Sequence, residues 1–251
     1  MNIDKYKTAY LEFWDVAETQ QLTAPCEMMP YSFKTDIHGF VWSTMEREFT
    51  QELLNTINGF ANQINSLNIW AHVLEKYNEE QQFYLRFEFT RLPLYYCLHK
   101  PTEFRDRLIY CGSHICHQAN CSAVEGYKDN FAEDHLIKMK TLTKVSKHWR
   151  KATELIENIK LIASSDFADA TGQYRNKSQH RVPPSLEYGH TNLVTRTELI
   201  DGKVSYGFGY ADPITTEIAL PLLIKQWELM KNAFNSYWSL VEEQNLTIKP
   251  K

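Results

Sequence analysis

The chain has 251 residues, of which 43% are hydrophobic and 23% charged, with a net charge of −4. These are ordinary globular values, and the length allows one large domain or two around a sizeable core. The slight acidic balance excludes a general nucleic-acid coat, so any contact with RNA has to be a local patch.

Aromatic residues reach 13%, which predicts a core thick with Tyr, Phe and Trp, and only nine glycines favour helices over turn-rich β structure. The five cysteines are odd in number and the opening MNIDKYKTAY has no apolar signal region. Both point to a reducing, cytoplasmic setting. The longest uncharged run, Leu108 to Val124, contains His114, His117, Gln118 and Asn120 and is too polar to span a membrane.

In chain order, Asp4 to about Gln20 reads as a short helix with Tyr6, Tyr10, Phe13 and Trp14 on one side. Residues 21–42 read as a loop holding Pro25, Pro30 and Gly39. Ser43 with Glu46 then forms a capping-box pattern. Phe49, Leu53, Ile57, Phe60, Ile64, Leu67 and Trp70 follow at spacings of four and three, predicting a long amphipathic helix to Tyr77. A further helical piece is expected from Glu79 to about Phe89, with Pro93 and Pro101 bracketing a short connection. Thr102 opens another helix to about Ala123.

That helix carries CGSHICHQANC, which places Cys111, His114, Cys116, His117 and Cys121 within eleven residues. A single zinc ion cannot collect them all, because Cys111 and Cys121 are about 15 Å apart along one helix. At most two neighbours, such as His114 and His117, could share a metal with ligands from elsewhere, and no second Cys/His cluster exists to supply them. The favoured reading is a buried helix with small and polar inward residues; no metal and no cofactor is expected.

From about Asp134 the chain reads as one helix to Ala163, with Leu142, Val145, Trp149, Ala152, Ile156, Ile159 and Ala163 as its apolar seam. Lys140, Lys144, Lys147 and Lys151 lie on nearly the opposite face. A solvated face is the commoner meaning of such a run; the sharper one is a phosphate-binding stripe.

Ser164, Ser165 and Asp166 offer N-caps for a helix predicted from about Asp166 to Arg181. It ends in YRNKSQHRVPP, which packs Arg175, Asn176, Lys177, His180 and Arg181 into seven residues with no acid among them. The residue before a proline is driven out of the α region, so Pro183 and Pro184 stop the helix near Val182. Asn176 and His180 share a face. Arg175 points roughly 140° from His180, so its flexible stem must bring the guanidinium back toward the imidazole. A helix C-terminus favours the imidazolium form and would hold His180 near neutrality. Such a pair suits phosphate chemistry, with Arg gripping non-bridging oxygens while His moves protons.

Beyond the prolines, Leu193 to Ile200 and Lys203 to Phe208 flank Asp201-Gly202, a two-residue hairpin signal. A last helix is expected from about Thr215 to Gln244, with Ile218, Leu222, Trp227, Met230, Phe234, Tyr237, Trp238 and Val241 on or near its apolar side. Pro221 would mark its first turn. The domain reading is an N-terminal extension, residues 1–42, followed by one helical domain, residues 43–251.

Arg175-Asn176-x-x-x-His180 resembles the motif of HEPN domains, an Arg and a polar residue with a His about five positions on. The resemblance implies an all-α fold: a HEPN-like helical bundle, here with a small β-hairpin insertion at about residues 193–208. It implies a metal-independent endoribonuclease acting as a homodimer, of the kind found in toxin–antitoxin and other defence systems. RNA would be its substrate, and an antitoxin or a nucleotidyltransferase a further partner, with no membrane involved. Arg175, Asn176 and His180 would be catalytic, and Lys177, Arg181, Lys144, Lys147 and Lys151 would contact RNA. One His per chain cannot be both acid and base, so two motif helices would meet across the dimer. The alternatives are a non-catalytic HEPN-like module that binds a nucleotide or a partner protein, and a metal-binding helical protein built on His114 and His117.

Overall fold

The computed structural model describes residues 3–19, 22–35 and 40–248. The chain is mainly helical. Its helices are α1 (Ile3–Glu18), α2 (Phe40–Leu74), α3 (Glu79–Leu85), α4 (Arg91–Ala123), α5 (Met139–Val145), α6 (Ala152–Leu161), α7 (Ser165–Ala170), α8 (Tyr174–His180) and α9 (Thr216–Thr247). An antiparallel hairpin joins β1 (Val194–Glu198) to β2 (Val204–Phe208). No helix among the described residues is long and apolar enough to cross a membrane. Gly39, expected in the loop before α2, lies outside the described residues.

Two compact units share the chain. One takes residues 1–26, 62–99 and 165–224, and the other takes 27–61, 100–164 and 225–251. The helices α2, α4 and α9 each contribute residues to both.

In the first unit, α1 buries Ala9, Phe13 and Val16 against Trp70, Val73 and Leu74 of α2 and Leu85 of α3. Their spacing of four and three defines the buried stripe, and Tyr10 and Trp14, one residue further round, are exposed. The aromatic face expected for this helix is therefore rotated by about one residue, or 100°. Phe13 and Phe89 stack on Trp70 with centroids 4.9 and 4.3 Å away. Asn78 caps α3 in a full capping box with Gln81.

The expected connection between Pro93 and Pro101 does not exist. A π-helical turn, Arg86–Thr90, runs directly into α4, which carries both prolines. Pro93 has no N–H for the Phe89 carbonyl and its ring would crowd that oxygen; the turn with wider hydrogen-bond spacing falls on this segment. Ser43 does not cap α2 either, since the helix starts at Phe40. Glu46 instead accepts hydrogen bonds from Thr35 and Thr50.

In the second unit, the predicted α2 stripe is buried through Leu53, Ile57 and Phe60. Trp42 donates to Gln244 of α9, and Asn158 of α6 donates to Ser236 of α9. The uncharged part of α4 is largely buried as far as Asn120, and a Cβ at Gly112 would meet Leu142 at 3.2 Å, so α4 and α5 approach closely there.

The single helix expected over 134–163 is instead a 3-10 turn followed by α5 and α6, parted at Ser146–Lys151. Side chains from elsewhere occupy the gap. Glu243 accepts the backbone N–H groups of Arg150 and Lys151, serving the start of α6 as a cap would. Asn120 donates to the Val145 carbonyl and accepts from the Trp149 indole. The apolar seam survives the break, with Leu142, Val145, Trp149, Ala152 and Ile159 all buried.

Two further expectations shift in detail. The hairpin does not turn on two residues: Leu199 and Lys203 close a loop of Ile200, Asp201 and Gly202, with Gly202 at φ 78°. This is a turn followed by a glycine bulge, and both strands are exposed throughout. In α9, Pro221 lies inside the helix and not in its first turn, and Ile218 is exposed.

Candidate functional site

The motif stands on α8, in the first unit. The helix expected to run unbroken from Asp166 to Arg181 is two short ones, and Gly172 is the reason. Gly172 and Gln173 have φ values of 57° and 59°. The Gly172 N–H reaches the Asp169 carbonyl and the Gln173 N–H reaches that of Ala168, the paired bonds of a Schellman stop. Tyr174 then starts α8, which ends at His180 before the proline pair.

Asn176 and His180 are exposed and Arg175 and Lys177 half-buried. The Asn176 side chain donates to Gln173, which in turn donates to Asp169. No side-chain hydrogen bond or ion pair to another described residue engages Arg175, Lys177, His180 or Arg181. Among the described residues, these four cationic or titratable side chains thus have no anionic partner.

Two groups that the motif did not signal hold α8 in place. His99 of α4 lies 3.2 Å from the Ser178 hydroxyl and packs near the Tyr95 and Tyr174 rings. Tyr174 is buried, and burial pushes its phenol up to about 12. Beside it opens a cleft of about 630 Å³, lined by Arg91, Tyr95, Tyr174, Pro184 and Ser185 among others.

The second group anchors the chain after the prolines. Glu187, with a φ of 67°, is buried and accepts from Arg86 at 2.8 Å, from Thr90 at 2.6 Å and from the Thr216 hydroxyl. Glu217 is also paired with Arg86. Burial alone would lower the Arg86 pKa, but the hydrogen bonds and charges of Glu217 and Glu187 outweigh it and raise it. Burial would raise Glu217, but the Arg86 hydrogen bond holds it low. Backbone bonds between Ser185 or Glu187 and Ile214 complete the anchor. No local pattern signals this cluster, because its members are up to 131 residues apart.

The lysines expected to line an RNA stripe are in the second unit, while the motif is in the first. Lys144 and Lys147 are exposed and Lys151 is half-buried, and the break between α5 and α6 interrupts their helical register. On α4, His114 and His117, weighed as a metal pair only as an alternative, each face a different carboxylate. His114 faces Asp134 at 3.4 Å, and His117 faces Asp129 at 2.8 Å.

Comparison with protein-family models, with curated proteins and with solved structures returns no match to this chain.

Proposed function

We propose that this chain is a HEPN-like, metal-independent endoribonuclease that works as a homodimer. The observation that carries the reading is the Arg175-Asn176-x-x-x-His180 constellation at the end of a short helix, its cationic side chains without an ion pair among the described residues. Arg175, Lys177 and Arg181 would neutralise a phosphate, and Asn176 would orient either that phosphate or His180. His180 would take the proton of a ribose 2′-hydroxyl, or return one to the departing 5′-oxygen. The oxygen freed of its proton attacks the adjacent phosphorus, the P–O5′ bond breaks, and the products are a 2′,3′-cyclic phosphate and a 5′-hydroxyl. The second imidazole would come from the partner copy.

Incubating the purified protein with labelled RNA tests this. The expected result is cleavage to cyclic-phosphate ends that persists in excess EDTA and vanishes in a folded His180→Ala variant. Undiminished cleavage in that variant would remove the assignment, and no cleavage by either protein would favour a module that only binds nucleotide or partner.

A further inference from the structure

The second unit assembles a histidine, a cysteine and a carboxylate that the ribonuclease reading leaves unused. His117 and Cys121 are four residues apart on α4 and share a face. After α4 the chain turns at Gly126, whose φ is 71°, and brings Tyr127, Asp129 and Phe131 back to that face. His117 is 2% exposed. Its Nε2 lies 2.8 Å from Oδ1 of Asp129 and 3.8 Å from Sγ of Cys121. One donor atom from each of the three falls within 4.8 Å of the others. The opposite ring nitrogen, Nδ1, is 3.1 Å from the Tyr127 hydroxyl, and Phe131 stacks on the imidazole at 4.4 Å.

The placement distinguishes two chemistries. In a nucleophilic Cys–His–carboxylate relay, one ring nitrogen takes the thiol proton while the other holds the carboxylate. Here sulfur and carboxylate both converge on Nε2, and Nδ1 is left to a phenol. Nitrogen, sulfur and oxygen donors meeting at one point form a metal shell. A hydrogen bond from the far ring N–H that fixes the tautomer is the usual outer-shell partner of a ligating His.

We propose that His117 Nε2, Cys121 Sγ and the Asp129 carboxylate bind a divalent transition-metal ion of the zinc class, with a further coordination position open to solvent. Ordinary zinc bond lengths in a tetrahedron set donors about 3.6 Å apart for N and S and about 3.4 Å for N and O. The observed N···S separation already fits. The N···O pair has to open by about half an ångström, and Asp129 is an exposed side chain on a loop. Counting cysteines and histidines cannot find this site, because the third ligand is a carboxylate beyond the helix.

Cobalt is the probe. The intact chain, stripped with EDTA and dialysed, is titrated with cobalt chloride. One ion per chain should bind and give a near-ultraviolet thiolate-to-cobalt band that zinc bleaches. The other four cysteines are buried, so the band reports Cys121. Cys121→Ser should abolish the band, and Asp129→Asn should weaken binding at least about tenfold. Both residues are exposed, and circular dichroism checks that each variant is folded. Absence of stoichiometric cobalt, or a band retained in Cys121→Ser, overturns the site. Since the readout is spectroscopic, it stands or falls apart from any ribonuclease activity.

Discussion

Ser178 of α8 lies with its hydroxyl 3.2 Å from Nε2 of His99 on α4 and 2.9 Å from the Arg175 carbonyl. A hydroxyl has one proton to give. With that proton on the carbonyl, Ser178 accepts from a His99 Nε2–H, which ties the motif helix to its neighbour through a side chain in the middle of the motif.

Ser178→Ala should therefore loosen α8 more than it destabilises the protein. A hydrogen bond of this kind contributes about 1 kcal/mol net. Urea unfolding should register a loss of that order, while the rate of RNA cleavage falls severalfold. Unchanged cleavage alongside the expected stability loss would show that the position of α8 is set by Tyr174 and the prolines alone.

Removing the Glu187 carboxylate should have a much larger effect. Its side chain and that of Arg86 are 1% and 11% exposed, and Thr90 and Thr216 would lose their acceptor as well. Breaking one side of a buried pair costs about 3–5 kcal/mol. Glu187→Ala should lower stability by about that amount in urea unfolding, and Arg86→Met combined with it should recover part of the loss. Additive losses in the double variant would mean that the two residues do not act as a pair.

Gly172 is the hinge of the motif segment. Alanine there has to adopt a positive φ, and its Cβ would sit 3.0 Å from Cγ of Pro184. Gly172→Ala should cost more than about 1 kcal/mol, and the shift should reach α8 because the same turn sets its start. Matched thermal melts and cleavage assays check both effects. A neutral substitution would mean that α7 and α8 can re-form as one helix.

How much of this the sequence disclosed depends on where each cause lies along the chain. Pro183 and Pro184 act on their own neighbours, so the end of α8 could be read directly. Gly172 is also local, but the N-caps at Ser164 to Asp166 and the proline stop suggested one continuous helix between them and outweighed it. The break between α5 and α6 could not be read, since Asn120 and Glu243 make it from outside the segment. Pro93 misled because proline normally ends a helix, and here a π-helical turn precedes it. The motif residues were legible as a pattern of types. The groups that hold them, His99 and the Glu187 cluster, are joined only by folding.

The charge of the motif leads to the final prediction. Arg175, Lys177 and Arg181 are close in sequence and have no ion pair among the described residues. Two such helices meeting across a dimer would repel each other unless an anion stood between them. Sulfate or an oligonucleotide should therefore stabilise the protein by RT ln(1 + [L]/Kd), about 2.7 kcal/mol at a hundredfold excess over Kd. Arg175→Ala should shrink that gain while leaving the melting point without anion equal or higher, because it removes one repelling charge and breaks no side-chain hydrogen bond or ion pair among the described residues. His180→Ala should abolish cleavage yet keep most of the anion effect, which separates proton transfer from phosphate binding. Melting curves with and without sulfate, read beside sedimentation at micromolar concentration, decide the matter. A monomer whose melting ignores anions would refute the composite site, and the motif would then be an ordinary basic helix end.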